Sequence, residues 1–227
     1  MTGRLNAHGD ALRPTTGAHG ADIASQRIDP LDRCALQQAL ALDPRRAVCV
    51  DLGCGLGTQG LRFAALGLDC RLYDLLPEPP GLAAVRAQTG WTVHHRSGDL
   101  RRLRAEDLPA VIDLVYSQRF LHYLRHAEAL ALMRLVAARM SPGAPCFVSA
   151  SGLDSELGQG YAERETPPAQ RFGLLAPAMQ AKHGIREPVC LYGRDELEAL
   201  MDEAGLACRA TWRSGFGNVK GVFERRP

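Results

Sequence analysis

Asp51-Leu52-Gly53-Cys54-Gly55-Leu56-Gly57-Thr58-Gln59-Gly60 follows the apolar run Ala47-Val48-Cys49-Val50 and precedes the Ala/Leu-rich stretch Leu61 to Leu66. The apolar run reads as a strand that ends near Asp51, the glycines as a tight turn, and the last stretch as a helix. A strand, a glycine loop and a helix in this order form the unit with which an open α/β sheet holds a nucleotide-like cofactor. Gly53, Gly55 and Gly57 let the backbone turn sharply and let a ligand approach the main chain. The helix start adds N–H groups that have no partner within the helix.

The glycines alone leave two cofactors open. Gly55 to Gly60 fits G-x-G-x-x-G, the dinucleotide fingerprint. Asp51 to Gly57 fits D-x-G-x-G-x-G, which resembles motif I of the class I methyltransferases. These use S-adenosylmethionine, a ligand without a pyrophosphate but with a sulfonium, an ammonium and a carboxylate. An acid at the strand end suits that ligand, and Asp51 supplies it, with Gly53, Cys54, Gly55 and Gly57 forming the loop.

The following segments extend the resemblance. Cys70 to Asp74, CRLYD, is a short apolar strand ending in an acid seventeen residues beyond Gly57. Asp74, followed by Leu75, sits where an acid accepts ribose hydroxyls, in either cofactor. Thr92 to Arg96 reads as a third strand, followed by Ser97-Gly98-Asp99-Leu100. In these methyltransferases an acid there accepts a hydrogen bond from the adenine amino group, and Asp99 with the Leu100 backbone matches it. Ala110 to Leu124, AVIDLVYSQRFLHYL, resembles motif IV of small-molecule and tellurite-resistance-type methyltransferases, D-L-V-x-S-x-x-x-L-H-x-L. The likeness covers roughly Ala47 to Gly152 and implies a doubly wound, seven-stranded, mostly parallel sheet with an antiparallel seventh strand. It also implies Ser117 in the cofactor site and S-adenosylmethionine as cofactor.

The rest of the chain is read from pattern. Asp29 caps a helix with Pro30 in its first turn. Strands are expected at Ala47–Leu52, Cys70–Asp74, Thr92–Arg96, Ile112–Ser117, Cys146–Ala150, Ala207–Arg213 and Asn218–Glu224, with helices at His126–Met140 and Arg194–Ala204. Alternating strands and helices imply a mostly parallel sheet covered on both faces. Residues 1–25, rich in Gly, Ala, Thr and His, read as a mobile N-terminal arm. Residues 26–227 read as a single domain, with a variable cap insertion at about 153–192 where the alternation stops.

Composition bounds the function. The 227 residues suffice for one α/β domain, and 46% hydrophobic with 23% charged residues is ordinary for a globular enzyme. A net charge of +2 gives no electrostatic case for nucleic acid. Lys182 and Lys220 are the only lysines, so an anion in the site would be gripped by arginine. The seven cysteines form no C-x-x-C pair and read as thiols of a reducing compartment. No apolar run is as long as a membrane span, and the chain start lacks an apolar signal core, so the protein reads as cytoplasmic.

Catalytic and acceptor residues are expected at the C-terminal sheet edge. His122, after the fourth strand, is the candidate general base, with packing as its rival role. Gln118, Arg119 and Tyr123 are candidate walls, as are Tyr161, Arg164, His183 and Tyr192 from the insertion. His122 and His126 are spaced to share a helix face, but H-Y-L-R-H lacks the glutamate of H-E-x-x-H and no third ligand is evident, so no metal is expected. The expected activity is methyl transfer to a small molecule. A nicotinamide-dependent oxidoreductase and a non-catalytic S-adenosylmethionine-binding module remain alternatives.

Overall fold

The computed structural model describes residues 5–9, 11–12 and 27–226. Seven strands form one sheet in the order β3-β2-β1-β4-β5-β7-β6. They are β1 (Val48–Leu52), β2 (Asp69–Asp74), β3 (Val93–Ser97), β4 (Leu114–Gln118), β5 (Pro145–Ala150), β6 (Leu206–Arg213) and β7 (Val219–Arg225). β1 to β5 are parallel, and β7 inserts antiparallel between β5 and β6. This is the doubly wound architecture that the alternation and the motifs imply. The observed strands differ from the expected ones by one or two residues at their ends.

The strand sequences explain the two covered faces. Neighbouring residues of a strand point to opposite sides of the sheet. Thus Val50, Val115, Cys146 and Val148 pack with α4 (His126–Ala137) and α6 (Arg194–Glu203) in one apolar cluster. Cys49, Leu114, Tyr116 and Phe147, out of phase with them, pack with α1 (Pro30–Ala39), α2 (Thr58–Ala65) and α3 (Leu82–Thr89) in another. The strands are apolar on both faces because both faces are buried. All seven cysteines are free, and Cys49, Cys70, Cys146 and Cys190 are buried.

α1 begins as its sequence dictates. The Asp29 carboxylate accepts from the Leu31 and Asp32 amides, Asp32 returns a bond to the Asp29 amide, and Pro30 takes the first turn. α4 stops at Ala137, short of the expected Met140, where the chain turns to bridge Met140 with Ile112 beside the sheet. Ile112 itself forms only that bridge, so β4 starts two residues later than expected.

Residues 153–192 contain more order than the absence of periodicity suggests. A short helix, α5 (Pro177–His183), and several turns enclose an apolar cluster of Leu157, Tyr161, Leu175, Ile185, Val189 and Leu191. Arg171, only 3% exposed, ties this segment to α6 through both Glu196 carboxylate oxygens and donates to four carbonyls, those of Glu163, Arg164, Thr166 and Leu191. The reading of residues 1–25 as an arm falls mostly outside the described residues. Of those described, the Ala7 amide donates to Glu156 and His8 stacks edge-on against Phe216. Among the described residues, no helix is long and apolar enough to cross a membrane.

Candidate active site

The strand order reverses between β1 and β4, and ligands of open α/β sheets lie outside the strand carboxyl ends at such a switch. The glycine loop sits there. The Gly53 and Cys54 amides both donate to the Tyr73 carbonyl on β2, at 2.8 and 3.1 Å. Gly53 adopts φ 69°, and a β-carbon there would lie 2.4 Å from the Phe120 ring, so the loop and the end of β4 pack directly on each other. Gly55 adopts φ 54°, but a β-carbon there would meet nothing within 4 Å. At Gly55 the backbone borders open space, whereas at Gly53 it borders protein. Gly57, also left-handed, forms the N-cap of α2.

Three acids follow the neighbouring strands along this edge. Asp51, near the end of β1, is 2% exposed. Burial first, then the nearby Asp74 charge, push its carboxyl up to about 8, against a hydrogen bond from the Gly60 amide. Asp74 ends β2 and accepts from the Gly55 amide at 2.7 Å and the Leu76 amide at 2.9 Å. A carboxylate has about four lone-pair sites, so both oxygens retain capacity for ligand hydroxyls. Asp99 caps a short 3₁₀ turn, Leu100–Arg102, after β3. Its carboxylate is clasped by the Arg101 guanidinium at 2.7 to 3.0 Å, which holds it below the usual carboxylate range. Leu100 is buried, while Leu56 and Leu75, 54% and 51% exposed, flank the loop with apolar surface. Cys54 places its thiol against the Gly55 carbonyl, and burial pushes it well above its usual range.

These features fit S-adenosylmethionine. A β-carbon would fill the cradle at Gly55, acids stand where hydroxyls and an ammonium need acceptors, and exposed leucines offer an apolar wall to a base. Ser117 is placed differently from the role implied for it. It is fully buried and donates to the Leu52 carbonyl at 3.0 Å, bracing β4 against β1 beneath the loop.

A cavity of about 380 Å³ opens at the ends of β4 and β6, the start of β7 and the start of α1. Its walls include Asp29, Gln118, Arg119, Trp212, Phe216 and Lys220. Asp29 accepts from Gln118 Nε2 at 2.8 Å and from Lys220 Nζ. Beneath them Asp32, raised by burial, takes the Tyr116 hydroxyl. Lys220, 5% exposed, is lowered by burial against the opposing pull of Asp29. Arg119 has a left-handed backbone, φ 55°, a conformation that costs a non-glycine residue roughly 1–2 kcal/mol.

The structure gathers Gln118 and Arg119 at this cavity but not the other acceptor-side candidates. His122 is fully buried, and Ser151 meets both ring nitrogens, its amide at Nδ1 (3.4 Å) and its hydroxyl at Nε2 (3.3 Å). Burial and then the Arg119 charge hold the imidazole well below its usual range, hence neutral. In this arrangement the ring has no nitrogen open to the cavity, and the general-base role gives way to packing. His122 and His126 do not share a helix, because Leu124 is extended between a 3₁₀ turn and α4.

Tyr123 packs against the residue 153–192 cluster, and burial pushes its phenol up to about 12. Tyr161 is buried, its hydroxyl donating to the Val189 carbonyl at 2.5 Å. Tyr192 is fully buried under α4 and α6. Arg164 donates to the Leu153 carbonyl and to Asp154, bordering a second, more polar cleft. His183 is buried beside Glu156, 3.4 Å away, and burial lowers its pKa. Tyr161 thus completes the segment's own apolar cluster, and Tyr192 joins the core under α4 and α6.

Trp212, Phe216 and Lys220 are not among the site residues expected from the sequence. Asp29 was recognised only as a helix cap, although its second oxygen serves the cavity wall. A signal was available at Lys220, a rare lysine within the apolar strand Asn218-Val219-Lys220-Gly221-Val222-Phe223. A charge placed there needs a buried partner.

Comparison with known proteins agrees with this geometry. The methyltransferase domain family model matches residues 24–211, and the chain belongs to that family. S-adenosylmethionine as cofactor follows from that membership. The ubiquinone biosynthesis O-methyltransferase of Xanthomonas axonopodis pv. citri (strain 306) is 28% identical over 131 residues, 57% of this chain and 54% of that protein. The chain thus spans about half the length of this curated relative. The fold is shared with 1,6-didemethyltoxoflavin-N1-methyltransferase of Burkholderia thailandensis, solved with 1,6-didemethyltoxoflavin and S-adenosylhomocysteine (TM-score 0.64, 19% identity, 91% of this chain and 82% of that one). It is also shared with the PH0226 protein of Pyrococcus horikoshii OT3 (TM-score 0.67, 16% identity, 91% and 92%). The methyltransferase expectation therefore stands over the nicotinamide one, while the tellurite-resistance likeness rests on Ala110–Leu124 alone.

Proposed function

We propose that the protein transfers the methyl group of S-adenosylmethionine to a small-molecule acceptor held in the cavity at the ends of β4 and β6. The observation that carries this reading is the Gly55 cradle at the β1/β4 switch, with Asp51 and Asp74 on either side of it. The loop backbone, Asp74 and Leu75 hold the nucleoside, and Asp51 faces the ammonium. The bound cofactor supplies an electrophilic methyl group. The acceptor lone pair forms the new bond to carbon as the carbon–sulfur bond breaks in line, so orientation supplies much of the rate.

A cavity of about 380 Å³ is within the range of small-molecule sites. Trp212 and Phe216 give it flat apolar walls, and Gln118 and Arg119 give it directional donors. The Burkholderia enzyme of the same fold binds a small molecule, 1,6-didemethyltoxoflavin, together with S-adenosylhomocysteine, which supports a small-molecule acceptor here. No side chain on the cavity wall is placed as a free base, because Asp29 is taken up by Lys220 and Gln118. The acceptor accordingly reacts in an already nucleophilic form.

Calorimetric titration with S-adenosylmethionine, S-adenosylhomocysteine and NAD tests the cofactor. The first two bind and NAD does not; NAD binding without an S-adenosylmethionine signal would overturn the reading. Incubation with methyl-labelled S-adenosylmethionine and a metabolite panel tests turnover. Labelled small molecules are expected, and cofactor binding with no labelled product from any acceptor would favour a non-catalytic module.

A further inference from the structure

Arg119 is the only non-glycine residue among those described with a left-handed backbone. Such a conformation persists where its surroundings over-determine it, and it clusters at ligand clamps. Here the Arg119 amide is held twice, by the Ser149 carbonyl at 2.9 Å and the Ser149 hydroxyl at 3.1 Å. This fixes the root of the side chain at the end of β4, on the cavity wall. Its Nε is buried and has no hydrogen-bond partner.

The other charged groups on that wall are engaged. Asp29 takes Lys220 and Gln118, Arg213 pairs with Asp154 at 2.6 Å, and the Arg27 guanidinium lies 3.9 Å above the Phe216 ring. Arg119 therefore presents a fixed positive charge with an unused buried donor, in a cavity whose single carboxylate is already neutralised. A guanidinium offers parallel N–H donors that match a carboxylate in fork geometry. Trp212, on the same wall, supplies a flat surface for an aromatic ring, while Phe216 is covered by Arg27 and His8.

We propose that the methyl acceptor is a small aromatic carboxylate, its carboxylate held by the Arg119 side chain and its ring packed against Trp212. The inference rests on the methyltransferase reading and names its substrate class. A carboxylate whose lone pairs are taken by a guanidinium is a poorer nucleophile. The carboxylate is thus the handle, and another heteroatom of the acceptor receives the methyl group.

Benzoate and benzamide, equal in shape and different in charge, are the probes, titrated in the presence of S-adenosylhomocysteine and followed by ligand-observed NMR. Wild-type protein binds benzoate about tenfold or more tighter than benzamide, as a charge-assisted pair requires. Arg119→Gln and Arg119→Gly both bring benzoate down to the benzamide level. The glycine variant suits the positive φ, and circular dichroism verifies its fold. S-adenosylhomocysteine affinity is measured on the same samples. If wild type fails to bind S-adenosylhomocysteine, the methyltransferase reading falls. If it binds, and benzoate binds no tighter than benzamide or keeps its preference in Arg119→Gly, the anion inference alone is overturned.

Discussion

The Gly55 amide donates to Asp74 Oδ2 at 2.7 Å, across nineteen residues of sequence. This bond joins the glycine loop of β1 to the end of β2 before any ligand contributes. The Gly53 and Cys54 amides reinforce it by donating to the Tyr73 carbonyl, one residue earlier on the same strand. The loop is thus preorganised by β2, and its shape depends on Asp74, the residue proposed to hold the ribose.

Asp74 consequently has two duties that substitution can separate. Asp74→Asn keeps an acceptor for the Gly55 amide but loses the charge. Asp74→Ala loses both. Hydrogen bonds to a charged group are worth about 1.5–3 kcal/mol, so Asp74→Ala lowers S-adenosylhomocysteine affinity by about one to two decades. Asp74→Asn falls between it and wild type. Calorimetry on the three proteins decides, and equal affinities would remove Asp74 from the site.

Gly55→Val abolishes cofactor binding in a folded protein. The β-carbon meets no protein atom within 4 Å, so the substitution creates no internal clash. It does place a branched side chain at φ 54° and into the cradle. Backbone strain of about 1–3 kcal/mol is expected, which lowers Tm by several degrees without unfolding the chain. Circular dichroism and a titration with S-adenosylmethionine read the two effects separately. Retained binding would make the turn structural only.

The sheet and the cofactor loop were legible because both are local. The strands are written as short apolar runs, as a sheet buried on both faces requires, and the loop in glycines that the turn requires. The positions of Asp74 at the end of β2 and Asp99 just after β3 were legible too, through the strand pattern. The acceptor side was not. Its wall comes from Asp29, Arg119, Trp212 and Lys220, brought together only by the antiparallel insertion of β7 beside β5. His122 followed a family pattern, yet its environment depends on Ser151, twenty-nine residues away. The aromatic and basic residues of 153–192 looked like binding groups because the segment's own small core carries no periodic signature.

Arg171 holds that segment in place. It is 3% exposed and donates to both oxygens of Glu196, at 2.6 and 2.8 Å. Removing one member of a buried pair costs about 3–5 kcal/mol, because the other charge and the satisfied carbonyls lose their partner. Arg171→Ala is therefore strongly destabilising, and Arg171→Lys recovers only part, having one compact ammonium for a fork of donors. Hydrogen exchange locates the effect: protection drops first in residues 185–192 and around Tyr161. A variant with unchanged Tm would show the knot to be dispensable.

Asp51 gives the protein a stability that declines as pH rises. Its folded carboxyl titrates at about 8, raised by burial and by Asp74, whereas the unfolded chain has the ordinary carboxylate value near 3.9. Below that ordinary value both states are protonated and the favourable contribution is complete. Above it the unfolded chain releases a proton that the folded chain keeps, so stability falls progressively until pH passes the folded value. Asp51→Asn imitates the protonated form and cannot titrate. Wild type and Asp51→Asn should melt together near pH 4 and diverge by pH 8, with the variant higher by at least about 3 °C, the shift of roughly 1 kcal/mol in a chain of this length. Asp74→Asn removes the second cause, so in its background the divergence should be smaller and level off at lower pH, because the loss of stability ends at the lower folded pKa of Asp51. Thermal scans across that range measure it, and parallel pH profiles for wild type and Asp51→Asn would mean that Asp51 is already ionised in the folded protein.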